Sequence, residues 1–152
     1  MTDALDPCYT TALRILNYRF NSETELRRKL RAKQFDDVSI AATLERLRAE
    51  NWIDDARFAG AFVRTRLRQR IGSRRILREL SEAGVDESIA RAAVAELADP
   101  EHDRTAARAV AAKRLRTLAR KEGDDKRQKL ASYLVRQGFD TSLALEIARE
   151  LT

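Results

Sequence analysis

Apolar positions recur at helical spacing in three stretches that align with one another. They are "ELRRKLRAKQFDDVSIAATLERL" (25–47), "RILRELSEAGVDESIARAAVAEL" (75–97) and "KLASYLVRQGFDTSLALEIAREL" (129–151). Leu26, Ile76 and Leu130 share one column, and Leu30, Leu80 and Leu134 follow four residues later. Gln34, Gly84 and Gly138 come next, then Phe35, Val85 and Phe139, then Asp36, Asp86 and Asp140. Leu47, Leu97 and Leu151 close the pattern. An apolar pair at i, i+4 marks the buried face of a helix. A glycine after it suits the left-handed residue that ends a helix, a role Gln34 fills less well. An aspartate two positions on suits the N-cap of the next helix. Each stretch therefore predicts helix, short turn, helix, repeated at about fifty residues. Such a period marks modules that stack and share a core.

A further helix precedes each pair. "CYTTALRILNYRF" offers Leu13, Leu16 and Phe20, "DDARFAGAFVRTRLRQR" offers Phe58 and Phe62, and "RTAARAVAAKRLRTLAR" offers Ala107, Ala111 and Leu118. Ser22 and Glu25 make a capping box, and Asp99-Pro100 reads as N-cap and first-turn proline. The expectation is an all-α chain of nine helices in three tandem three-helix repeats, at 7–50, 54–98 and 100–151. The third repeat's first helix is alanine-rich and lacks the aromatics of the second, so its docking is expected to be the least constrained.

Composition supports helix throughout: Ala, Leu, Arg and Glu dominate, with two prolines and five glycines among 152 residues. No apolar run approaches the roughly 20 residues of a membrane span, and no secretory signal is visible. The lone Cys8 forms no intramolecular disulfide, which suits a reducing compartment. A soluble, cytoplasmic monomer is expected. A net charge of +6, with 36% charged residues, favours a polyanionic partner: nucleic acid, an acidic protein surface, or both.

The base is concentrated. "RTRLRQRIGSRR" (64–75) holds arginine at alternate positions, a spacing that mimics a strand. On a helix, Phe58 and Phe62 lie about 40° apart and define the buried side. Arg57, Arg64 and Arg68 cluster opposite, Arg66 and Arg70 form a second i, i+4 row, and Val63 with Leu67 forms an apolar row facing a neighbouring triplet. Gly72 is expected to end this helix and Ser73 to cap the next. There Arg74, Arg75 and Arg78 lie opposite Ile76 and Leu80. Arg27, Arg28 and Arg31 avoid the Leu26/Leu30 face in the first repeat. Lys113, Arg116 and Arg120 form a stripe in the third. Arginine binds phosphate or carboxylate bidentately, and these fourteen cations are the candidate partner-binding residues. The alternative for any of them is a merely solvated face.

Catalytic chemistry is sparse. His102 is the only histidine and Cys8 has no second soft ligand, so no metal site or cofactor is expected. Asp54 and Asp55 are adjacent and diverge by about 100° on a helix, so N-capping by Asp54 is favoured over paired catalysis. Trp52 reads as a core or inter-unit anchor, and Tyr9, Tyr18 and Tyr133 as mostly structural. A binding protein rather than an enzyme is expected.

The segments "NSETELRRKL", "WIDDARFAGAFVRTRL", "IGSRRILRELSEAGV" and "KLASYLVRQGFDTSLALEIAREL" resemble the RecX regulatory family across almost the whole chain. The resemblance implies three tandem three-helix units in an elongated, curved molecule. It also implies binding in the groove of the RecA–single-stranded DNA filament. Suppression of RecA ATPase, strand exchange and coprotease activity would follow, by blocked filament growth or promoted disassembly. Direct DNA binding, single-stranded or duplex, is implied for some members. The competing readings are a helix-turn-helix DNA-binding regulator and a scaffold for an acidic protein. Against the first, the third helices "DVSIAATLERL" and "ESIARAAVAEL" are poor in the side chains that read base edges.

Overall fold

The computed structural model describes residues 6–118 and 123–152, and the side chains from 125 onward in the second span. Nine helices lie among the described residues: α1 Pro7–Tyr18, α2 Glu23–Ala32, α3 Asp37–Ala49, α4 Asp55–Arg68, α5 Ser73–Glu82, α6 Glu87–Leu97, α7 His102–Thr117, α8 Gly123–Arg136 and α9 Thr141–Leu151. The alternating arginines 64, 66 and 68 are helical, all on α4. The principal helix–helix packing falls within the triplets α1–α3, α4–α6 and α7–α9.

Each triplet has its own core. In the first, Leu26 and Leu30 meet Cys8, Ala12, Ile40, Leu44, Leu47 and Ile53. The second gathers Phe58, Ala59, Val63, Ile76, Leu80, Val85 and Ala90. In the third, Ala106, Ala107 and Ala111 of α7 pack on Leu130, Leu134, Phe139, Ala144 and Ile147. The expected shared core is therefore three separate cores. The alanine face of α7 lets that helix approach closely in place of an aromatic wedge. Ion pairs from Arg104 to Glu146 and from Arg108 to Glu150 lace α7 to α9 one turn apart.

The junctions between triplets are polar, and both use the same device. At the first, the α2 N-terminus meets the α5–α6 turn: Ser22 Oγ donates to the Ala83 carbonyl (2.6 Å) and Arg28 Nη1 to that of Glu82 (2.9 Å). Thr24 abuts Gly84, where a Cβ would sit 2.7 Å from its Cγ2. At the second, the α5 N-terminus meets the α8–α9 turn: the Gly72 amide donates to the Gln137 carbonyl (2.9 Å) and the Arg74 amide to that of Gly138 (3.0 Å). In both cases the next unit's first helix supplies an acid to the exposed helix amides. Asp55 accepts from the Glu23 amide (2.9 Å), and Asp103 accepts from the Ser73 amide and hydroxyl (3.3 and 3.0 Å).

Several local expectations change. Gly72, not Ser73, is the N-cap of α5, with no side-chain cap bond, because Asp103 occupies that role from outside the unit. Gly72 does not end α4 either; the helix stops at Arg68, and Arg70 takes the left-handed backbone at φ 60°. Asp36, Asp86 and Asp140 all stand at N-caps, yet only Asp140 accepts a helix amide bond, from Ser142. Helix α7 starts after a turn in which Asp99 accepts from the Glu101 amide, so Asp99-Pro100 precedes the helix rather than opening it. Trp52 is half exposed and Phe20 likewise, whereas Ile53 is the anchor in the first core. Leu151 is also partly exposed, and Val63 belongs to its own unit's core rather than to a neighbour. The capping box of Ser22 and Glu25 forms in full, as do the left-handed turns at Gln34, Gly84 and Gly138.

Candidate functional site

The structure divides the fourteen candidate cations by what they touch. Arg66 and Arg75 converge on one carboxylate, Glu79, at 2.8 and 3.0 Å, in a half-buried cluster that ties α4 to α5. Arg66 also lies over the Phe62 ring, 5.3 Å from its centroid. Arg74 pairs with Asp140 at 3.3 Å, and Arg75 donates to Gln137, so both serve the second junction. Arg28 serves the first junction through the Glu82 carbonyl. Arg27 joins Arg48 on Glu23, at 3.0 and 2.7 Å. The Arg48 bond above all holds the Glu23 carboxyl below its ordinary pKa. Burial pushes neighbouring Asp55 the other way. These side chains are already engaged with other parts of the fold, although the Arg74–Asp140 pair is itself an exposed surface pair.

A second group is exposed and weakly tied. Arg31 reaches Asp37 and Arg78 reaches Glu82 in surface pairs, which contribute little. Arg57 donates to the Asn51 carbonyl and lies over Phe20. A third group has no carboxylate partner among the described residues: Arg64, Arg68, Arg70, Lys113 and Arg116. Arg68 makes only a 3.4 Å contact to Thr65 one turn back on its own helix. Arg120 lies outside the described residues.

Geometry brings part of this third group together. Arg57 and Arg64 flank a groove of about 370 Å³ between α4 and α6, floored by Gly60, Ile89 and Ala93. Arg68 and Arg70 rim a cleft of about 380 Å³ against the start of α7. On the other side of Arg70 a cleft of about 260 Å³ is lined by Lys113, Arg114, Tyr133 and Gln137, with no carboxylate in its lining. The left-handed turn thus carries Arg70 off the expected Arg66 row and places it between the second and third units.

Sequence reasoning missed Arg114 and Tyr133. The guanidinium of Arg114 lies 4.5 Å from the Tyr133 centroid, and its Nε is buried without a hydrogen-bond partner. Arg114 is off the 113/116/120 stripe, and its partner comes from another helix, so no local spacing announces the pair. No cluster of three or more His, Cys, Asp or Glu among the described residues is arranged to hold a metal ion. Among the described residues no helix is long and apolar enough to cross a membrane.

The three-unit division coincides with family models for the first, second and third three-helix domains of RecX, matching residues 8–47, 54–94 and 102–147. The chain belongs to the RecX family. RecX regulatory proteins from Corynebacterium efficiens and Clostridium perfringens are 40% and 32% identical to it. Those alignments cover 91% and 99% of this chain and 69% and 71% of the relatives. The crystal structure of RecX from Lactobacillus salivarius superposes with a TM-score of 0.81 at 25% identity, over 99% of this chain and 98% of that one. A second RecX crystal structure gives 0.83 at 26% identity, over 94% of this chain and 70% of that one. RecX is a regulatory family, which accords with a surface of grooves and cations.

Proposed function

We propose that this chain regulates the RecA recombinase by lying along the RecA–single-stranded DNA filament. It lowers ATPase, strand-exchange and coprotease activity by blocking filament growth or promoting disassembly, and it acts in the cytoplasm as a monomer without a cofactor. The observation that carries the reading is the exposed α4 row. Among the described residues Arg64 and Arg68 have no carboxylate partner, while Arg66, between them, is bound to Glu79. Arg57, Arg64 and Arg68 follow one helix face over about 16 Å, and Arg70, Lys113 and Arg116 extend the basic surface into the third unit. Such a row matches the repeated anionic groups of a regular polymer, through DNA phosphates, RecA carboxylates, or both.

The test is the single-stranded-DNA-dependent ATPase of the cognate RecA, with Arg64→Glu/Arg68→Glu compared with the parent chain. The parent inhibits sub-stoichiometrically, because one molecule at a growing end stops many additions. The variant keeps its helical spectrum and inhibits at least about tenfold less well. If both arginines meet phosphates, the salt dependence of binding flattens by about 1.4 in log–log slope. Undiminished inhibition by the variant refutes the reading.

A further inference from the structure

Unit three holds a groove of about 630 Å³ between α8 and α9. Its floor is Ala131, Val135, Ala144 and Leu145, and Arg127, Arg136 and Arg149 stand on its rim. Val135 and Leu145 are 40% and 41% exposed, a wide opening for branched apolar side chains at one site. The lining contains no carboxylate.

We propose that this groove binds an acidic amphipathic helix of a partner protein, its apolar stripe on Val135 and Leu145 and its carboxylates on Arg136 and Arg149. The charge of the groove chooses that occupant. Its only charged lining residues are arginines, around an apolar floor, which complements helix-in-groove recognition by an acidic stripe. A second copy of this chain is a poor occupant. Head-to-tail stacking would present the Gln34 turn, and Gln34 stands where docking tolerates only Gly84 or Gly138. Lys33 at that turn and Arg31 at the end of α2 add positive charge, which the cationic rim would repel. This proposal does not depend on which polymer the α4 row engages.

The experiment uses the full chain and a fluorescein-labelled synthetic helix about four turns long, with leucines at i, i+3, i+4, i+7 and glutamates elsewhere. Anisotropy is expected to show saturable binding. Val135→Glu/Leu145→Glu and Arg136→Glu/Arg149→Glu each weaken it at least about tenfold, with helical spectra and melting preserved. Arg136→Glu/Arg149→Glu gains binding to the lysine version of the peptide, a reversal that unfolding does not produce. The proposal is overturned by absence of saturable binding, or by equal binding of a scrambled peptide. It is equally overturned by displacement of the peptide with a single-stranded oligonucleotide, or by Val135-dependent self-association in sedimentation.

Discussion

Replacing Gly138 with alanine tests whether the junctions are steric locks. Gly138 has φ +102°, a backbone conformation costing an L-residue about 1–2 kcal/mol or more. A Cβ there would lie 2.6 Å from the Gly72 carbonyl oxygen and 2.8 Å from the Arg75 amide nitrogen, both backbone atoms that cannot rotate away. Relief requires the turn to back off, which strains the bonds between Gly72 and Gln137 and between Arg74 and Gly138. Overpacking of this kind costs about 1–3 kcal/mol, so the expected total is about 2–5 kcal/mol, a large share of a typical domain's stability. Because each unit has its own core, the loss falls on coupling rather than on every unit equally. Amide exchange by mass spectrometry is expected to speed up in α8 and α9 and at the α5 N-terminus, with α1–α3 unchanged. Gln34→Gly is the converse control: φ there is 71° and no junction forms at this turn among the described residues, so stability rises by about 0.5–1 kcal/mol. An alanine at 138 with unaltered exchange and melting would show that the junction yields freely, and the locking argument would fail.

Glu79→Gln removes the carboxylate shared by Arg66 and Arg75, and is expected to destabilise by about 1–3 kcal/mol, or several degrees in melting temperature. Arg64→Glu/Arg68→Glu, by contrast, should leave the melting temperature within about 2 °C while impairing filament inhibition. Glu23 has a lowered pKa, so its stabilising contribution is present above its ordinary value of 4.5 and is lost as pH falls through the lower folded value. The stability gap between the parent and Glu23→Gln, measured by denaturant titration, should therefore persist from neutral pH down to the ordinary value of 4.5 and narrow below it as pH falls through the lower folded value. Asp55 beside it acts in the opposite sense, chiefly burial and in part the Glu23 charge costing stability as pH rises through its raised value, so Glu23→Gln also eases that cost. Cys8 is 2% exposed and its thiol pKa is raised, chiefly by burial, so disulfide reagents should label it only through opening of the first unit. Prompt native-state labelling would contradict that packing.

The helices and the repeat were legible because they follow from local spacing: the columns of Leu26, Leu30, Ile76 and Leu80 are fully buried as their periodicity requires. The turns were legible at Gly84 and Gly138 for the same reason. What escaped were roles assigned by another unit. Ser73 has the chemistry of a cap, yet Asp103, thirty residues away, takes that position. Arg70 fits a helical row by counting, but the helix ends two residues earlier and the chain turns it outward. The candidate site was legible only as a set of cations. Which of them are free depends on Glu79, Asp140 and Gln137, whose approach no local pattern specifies.

That separation bears on how an arginine-rich chain keeps a usable surface. In "RTRLRQRIGSRR" the committed and the free arginines are interleaved, so substitutions chosen by sequence density would damage the junction and the surface together. Arg74 and Arg75 illustrate this: reversing them would break contacts to Asp140, Glu79 and Gln137 before any partner was lost. Weakened inhibition in such a variant would report the loosening of units two and three as readily as a lost contact. Arg64 and Arg68 avoid the ambiguity, because among the described residues neither is ion-paired across a junction; Arg64 lies over Gly60 and Arg68 touches only Thr65 through a hydrogen bond. Comparing the two pairs of reversals then separates rigidity from contact. If inhibition falls with Arg74→Glu/Arg75→Glu but not with Arg64→Glu/Arg68→Glu, the filament senses the fixed angle between units rather than the charge on α4. If both fall while only the former lowers the melting temperature, the α4 row is itself the contact, held at a set angle by the junction beside it.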